Sequence, residues 1–182
     1  SLHAWDCWNE IRLIAQADAY VCACTHTLRA YRDWLRGRYG DLDGLNAAWG
    51  RRHRSWDEVP AGLEPGRSWI ETLAYQRFLS WRTAEHLTFL VEGLRAGDGE
   101  HPILAHQVEL TPFHTLPESP YAQAGVRGDD FELSRRVDAF GISMFPAWFN
   151  TGGAETGARL ECGRSAAGAR PFWVCELQGS AA

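Results

Sequence analysis

The stretch Val137-Asp138-Ala139-Phe140-Gly141-Ile142-Ser143-Met144-Phe145 decides the fold of this chain. Its apolar residues do not alternate strictly with polar ones, and a strand that reads this way is covered on both faces. Three other short apolar runs share the character: Leu2 to Trp8, Ile103 to His106 and Phe172 to Cys175, each ending in polar or aromatic residues. Helical patterns fill the gaps. Leu28, Tyr31, Trp34, Leu35 and Tyr39 fall on one helical face, and after Gly40 come Leu42, Leu45 and Trp49. Ser68 with Glu71 reads as a capping box opening a longer helix that carries Ile70, Leu73, Trp81, Ala84, Leu87 and Leu94 toward Gly97. Asp129 with Glu132 repeats the cap signal, and Ala154 to Gly168 reads as a connecting helix that Gly157 and Gly163 weaken.

Strand, helix, strand repeated three times predicts an α/β fold with a parallel sheet and right-handed crossovers. A doubly wound sheet would carry a glycine-rich phosphate turn after an early strand, and none is present. The barrel reading is the better one. A complete (β/α)8 barrel, the TIM architecture, needs about 250 residues, so four strands in 182 residues predict a partial barrel, roughly half of one. The start at Ser1, without a methionine and straight into an apolar run, predicts an internal fragment of a single catalytic domain spanning residues 1–182. With its sheet edges uncovered, such a fragment is expected to be inactive and poorly soluble alone. The segment from Val108 to Gly128 carries Pro112, Pro117, Pro120 and Gly125, too turn-rich for an element, and it follows a strand's carboxyl end, where barrel active-site loops lie.

Composition narrows the function. All 18 basic residues are arginines, which excludes a P-loop lysine and a lysine Schiff base. A formal charge of -5, with no basic run longer than Arg51-Arg52-His53-Arg54, argues against nucleic acid or an anionic membrane as the main partner. No stretch approaches the roughly 20 apolar residues of a membrane span, and no signal pattern opens the chain. Five cysteines at 7, 22, 24, 162 and 175 are an odd number without small-domain spacing, which favours reduced thiols and a cytoplasmic over a secreted setting. Nine tryptophans can fill a core, and exposed indoles also stack on sugar rings.

Two carboxylates stand where chemistry is expected. Asn9-Glu10 directly follows the first strand and Glu176 the last, so both would project from carboxyl ends of parallel strands into one mouth. Breaking a glycosidic bond needs one carboxyl group to protonate the leaving oxygen and another to answer the charge at the anomeric carbon. Position alone also allows each to be a solvent-facing loop residue.

A series of blocks in order makes the family legible. Ala4-Trp5-Asp6-Cys7-Trp8-Asn9-Glu10, Cys22-Ala23-Cys24-Thr25-His26-Thr27, Trp34-Leu35-Arg36-Gly37-Arg38-Tyr39-Gly40 and Leu45-Asn46-Ala47-Ala48-Trp49-Gly50 are followed by Val137 to Ser143, Arg164-Ser165-Ala166-Ala167-Gly168 and Glu176-Leu177-Gln178-Gly179. The chain so marked resembles the catalytic barrel of glycoside hydrolase family 42 beta-galactosidases. The resemblance implies about strands 4 to 7 of the barrel with their helices, and a retaining hydrolysis of terminal beta-D-galactosides. It implies Glu10 as acid/base on the fourth strand, beginning protonated, and Glu176 as nucleophile on the seventh. Retention places the two carboxyl groups about 5–5.5 Å apart. Asn9 would hydrogen-bond the sugar 2-hydroxyl, or else fix the strand-end backbone. A homotrimer is implied, and no cofactor is needed.

His106 and Gln107, closing the second strand, are expected at the same mouth, binding sugar hydroxyls or orienting a carboxylate, although a strand-end histidine can be purely structural. Phe145 and Trp148 offer an apolar platform for the sugar ring. Phe145-Pro146 stands where the family commonly has Tyr-Pro, so a hydroxyl that would approach the nucleophile is gone. Of Trp5 and Trp8, strand alternation assigns at least one to packing. Some family members bind zinc through three closely spaced cysteines and an earlier one; here Cys22 and Cys24 are present but the third position is Thr27, and ordinary thiols are the default reading. Other readings remain open: a retaining glycosidase of the same clan acting on an arabinoside, fucoside or glucoside, or a non-catalytic carbohydrate-binding barrel.

Overall fold

The structure, a computed structural model, describes residues 2–13, 22–63, 68–108, 127–148 and 150–178. Strand β1 (Trp5–Asp6) leads to helices α1 (Thr25–Tyr39) and α2 (Leu42–Trp49), a 3-10 turn at Trp56–Glu58, and the 29-residue helix α3 (Trp69–Gly97). Strand β2 (Ile103–Gln107), the short helix α4 (Asp130–Ser134), β3 (Ala139–Met144), α5 (Gly153–Ala167) and β4 (Phe172–Leu177) complete the alternation. The four strands lie in the order β1-β2-β3-β4, every pair parallel, which is half of a barrel with its helices on the outside. The turn-rich segment expected to form an active-site loop falls, over residues 109–126, outside the described residues.

Strand β1 is shorter than the apolar run from Leu2 to Trp8, yet its pairing with β2 continues irregularly. Cys7 N–H donates to the Leu104 carbonyl (2.8 Å), His106 N–H to Trp8 (3.3 Å) and Ile11 N–H to His106 (3.0 Å), while the chain turns at Asn9-Glu10. The sheet and its helices enclose one apolar core of Ala84 and Leu87 from α3, Ile103 and Ala105 from β2, Leu133 from α4, Phe140, Ile142 and Met144 from β3, and Ala166 and Ala167 from α5. A second core packs Tyr31 and Leu35 of α1 and Leu45 and Trp49 of α2 against Tyr75, Phe78 and Leu79. Helix α3, about 43 Å long at 1.5 Å per residue, joins the two. Each fully buried large apolar side chain contributes about 1.5–3 kcal/mol through removal from water.

Local signals explain most boundaries. The Asp41 carboxylate accepts the Gly44 N–H at 2.8 Å and caps α2, which ends at Gly50 in the left-handed region at φ 62°. Asp129 caps α4 by accepting the Glu132 N–H at 3.0 Å. The box read at Ser68 and Glu71 forms differently: Ser68 makes no side-chain cap, because Arg51 reaches across to bond both Ser68 Oγ (2.9 Å) and Glu71 Oε1 (3.0 Å). Helix α5 runs unbroken through Gly157 and Gly163. Gly163 is there for space, since a methyl group at that position would sit 2.6 Å from a ring carbon of Phe172. Among the described residues, no helix is long and apolar enough to cross a membrane.

Candidate active site

At the carboxyl ends of the strands, side chains from three of them meet around His106 on β2. The residue is almost fully buried at 1% exposure. Its Nδ1 lies 2.9 Å from Asp6 Oδ2 on β1 and its Nε2 lies 3.5 Å from Glu176 Oε1 on β4. The reach from β2 to β4 crosses β3, where His106 registers with Gly141. A methyl group at Gly141 would stand 2.3 Å from Cys175 Sγ and 3.2 Å from His106 Cβ, so only glycine leaves this passage open.

Glu176 owes its direction to a bulge. Ile142 registers with Val174 but Ser143 with Glu176, so β4 spends one extra residue, Cys175, against β3. Without that residue, alternation would turn Glu176 away from the face that carries His106 and Gly141. Burial by itself would drive the His106 pKa down; the Asp6 carboxylate and the Cys175 thiol beside the ring outweigh it and raise the pKa to about 10. The imidazole is therefore a cation at neutral pH.

Glu10 sits in the turn that follows β1, half-buried, with a left-handed φ of 51°. For a residue with a side chain, that conformation costs on the order of 1–2 kcal/mol and is held by the neighbouring structure, here the Ile11 N–H bond to the His106 carbonyl. Asn9 beside it is exposed. Fully buried Arg127 lies within electrostatic reach of Glu10 and Asp130; burial and the Arg12 cation bring its pKa down to about 10, against the pull of those two carboxylates. Arg127 and Asp6 were not legible as site residues.

Gln107 goes elsewhere. Adjacent strand residues face opposite ways, and Gln107 registers with Ile142 of the helix-side core, where its Nε2 donates to the Arg127 carbonyl at 3.0 Å. Strand parity therefore turns its side chain to the other face of the sheet from His106. Beyond β3, Phe145 and Trp148 stack with ring centroids 4.8 Å apart at 18°, and Trp148 is 68% exposed. Gln178, just past β4, accepts the Ala147 and Trp148 N–H groups at 3.0 and 3.3 Å, which ties this aromatic pair to the strand bearing Glu176.

Known proteins give the arrangement a family. The family model described as beta-galactosidase, for glycoside hydrolase family 42, matches residues 1–182. The chain belongs to glycoside hydrolase family 42. It is 29% identical over 169 residues to the beta-galactosidase Bga of Halorubrum lacusprofundi, covering 86% of this chain and 23% of that protein. It is also 39% identical over 77 residues to a beta-galactosidase of an Arthrobacter species, covering 36% of this chain and 10% of that one. Among solved structures, the Halorubrum lacusprofundi beta-galactosidase superposes with a TM-score of 0.71 at 24% identity over 96% of this chain and 27% of its own. The enzyme from Marinomonas ef1 gives 0.69 at 20% identity over 87% and 26%. The chain thus spans about a quarter of the length of these last relatives, and the structural likeness confirms the barrel fold.

Within this family the cysteine pair calls for comment. Cys22 and Cys24 are exposed, their sulfurs 3.5 Å apart, and the Thr27 hydroxyl lies 3.1 and 3.4 Å from them. Hydrogen bonding by Thr27, then by Cys22, lowers the Cys24 pKa to about 6. Two sulfurs and a hydroxyl do not fit the four nitrogen or sulfur ligands of a structural zinc. Among the described residues, no group of three or more His, Cys, Asp and Glu side chains is arranged to hold a metal ion. Cys7 is a half-buried thiol whose pKa burial pushes up to about 12. Trp8, just past β1, packs edge-on against His86 of α3 at 5.0 Å, and Trp5 of β1 donates to Asp98 Oδ2 at 3.0 Å, so both tryptophans have partners at α3 or its end.

Proposed function

We propose that this chain carries both catalytic carboxyl groups of a retaining glycosidase that cleaves terminal beta-D-galactosides. The observation that carries the reading is the convergence on His106: Glu176 touches its ring while the Glu10 turn is bonded to its backbone. Two glutamates from opposite ends of the chain thus share one strand-end neighbourhood. In the first step Glu176 attacks the anomeric carbon as Glu10 gives its proton to the departing oxygen, forming a galactosyl ester on Glu176. In the second, Glu10 takes a proton from water, the water oxygen bonds to the anomeric carbon, and the ester breaks with overall retention. Arg127 supports the carboxylate that Glu10 becomes between the two steps.

Asn9 is proposed to hydrogen-bond the sugar 2-hydroxyl, and the stacked Phe145 and Trp148 to supply an apolar surface under the ring. His106 completes the floor of the site. The family resemblance supports a homotrimer. The beta-galactosidase names of the relatives in Halorubrum and Arthrobacter favour galactose as the sugar. Phe145 in place of the tyrosine favours one other reading, a retaining enzyme of the same clan with a different glycosyl group.

Turnover of 4-nitrophenyl beta-D-galactoside by the full-length protein, with the anomer released first followed by proton NMR, tests this. Beta-galactose appearing before mutarotation is the expected result. Alpha-galactose first, or turnover of an arabinoside, fucoside or glucoside without the galactoside, overturns it.

A further inference from the structure

We propose that Asp6 and His106 act as a positioning pair for the Glu176 carboxylate, presenting a fixed cation to it from across β3. This rests on the reading of Glu176 as nucleophile. A histidine at 1% exposure is expensive to bury as an ion, and among the described residues neither ring nitrogen completes a hydrogen bond; each instead faces a carboxylate at ion-pair distance, Nδ1 at 2.9 Å from Asp6 and Nε2 at 3.5 Å from Glu176. The two carboxylates differ from the histidine in being 38% and 41% exposed, so the ring is the buried, immobile member and the acids reach it from the open side. Asp6 fixes which way the ring is turned, as a carboxylate does for a working imidazole.

The backbone is built around this contact. Gly141 clears the path between β2 and β4, and the bulge at Cys175 turns Glu176 onto the face that carries the ring. Among the described residues, the groups facing His106 are Asp6 from β1 and Cys175 and Glu176 from β4; β3 contributes Gly141, with no side chain, and buried Ser143 in register with Glu176. With a pKa raised to about 10 by Asp6 and Cys175 the ring keeps its charge through the neutral range, and its Nε2 lies 3.5 Å from Glu176 Oε1. A histidine held for packing alone would need neither the glycine nor the bulge.

The test compares His106→Gln and Asp6→Asn with the unaltered full-length protein, using the acid limb of the kcat/KM pH profile on 4-nitrophenyl beta-D-galactoside. Each protein is also labelled with a 2-deoxy-2-fluoro-galactoside to locate the covalent site. The expected result is an acid limb moved upward by about 1 pH unit or more in His106→Gln, and by a smaller amount in Asp6→Asn, because a lost opposite charge raises a carboxyl pKa by about 1–3 units. The fall should lie in kcat, with KM little changed. If His106→Gln does not fold, Asp6→Asn decides alone. A limb at the wild-type position in the folded variants, with the label still on Glu176, overturns the pairing and leaves the nucleophile standing. A label on another residue of the unaltered protein overturns both.

Discussion

The two faces of the sheet are built on opposite principles. Toward the helices, Ile103 and Ala105 of β2 and Phe140, Ile142 and Met144 of β3 meet Ala84, Leu87, Leu133 and Ala166 in a continuous apolar core. On the other face, the same strands present His106, Gly141 and Ser143, with Asp6 and Glu176 closing in from the flanking strands. The first face gains from removing carbon from water; the second buries an ionised ring and leaves a hydroxyl, Ser143 Oγ, with no hydrogen-bond partner among the described residues. Stability alone would not select the second arrangement. What it supplies is a charge held in place at the mouth, so the helix-facing side keeps the fold and the other side carries the proposed site.

Substitutions on the two faces should therefore separate stability from activity. Glu176→Gln should lower kcat by about 10⁴-fold or more, because the attacking carboxylate has no substitute, with a smaller loss of melting temperature from removing a charge that faces His106. Glu10→Ala should cost about 10²–10⁴-fold with an alkyl leaving group and much less with nitrophenolate, which departs without a proton. That dependence on the leaving group is read directly from parallel kcat measurements. Gly141→Ala sits between the faces: the added methyl meets Cys175 Sγ at 2.3 Å, so it should cost about 1–3 kcal/mol of stability and also reduce activity by displacing His106. Gly163→Ala, on the helix side, should show a similar loss in denaturant titration, from the 2.6 Å clash with Phe172, with unchanged kcat per folded molecule.

The smallest effect is the one that reports on charge. The His106 pKa is raised by folding to about 10, from an ordinary value near 6.5. Its contribution to stability is thus complete below about pH 6.5 and is lost as the pH rises toward 10. Melting temperature should decline across that window, and His106→Gln should flatten the decline. An equally steep decline in the variant would assign it to other groups.

Much of this was legible in the sequence, for physical reasons that also mark where legibility stopped. The strands and helices follow from apolar periodicity, and the cap at Asp129 follows from a local bond between residues three apart. At Ser68 and Glu71 the same local logic failed because Arg51, 17 and 20 residues away, took both side chains. The family blocks single out Glu10 and Glu176, but the partners around them come from afar in the chain. Asp6 meets His106 across 100 positions, and Arg127 acts on Glu10 from the far end of the turn-rich segment. Strand parity was available in the sequence and separates His106 from Gln107, one facing the mouth and the other the helices. The bulge at Cys175 was not: it is a register difference between two strands, and nothing in Phe172 to Leu177 alone announces it.

The most direct measurement is to trap the full-length protein with 2,4-dinitrophenyl 2-deoxy-2-fluoro-beta-D-galactoside and find the modified residue by peptide mass spectrometry. A single fluorogalactosyl ester on Glu176 is the expected result. An ester on Glu10, or on any other residue, would contradict it.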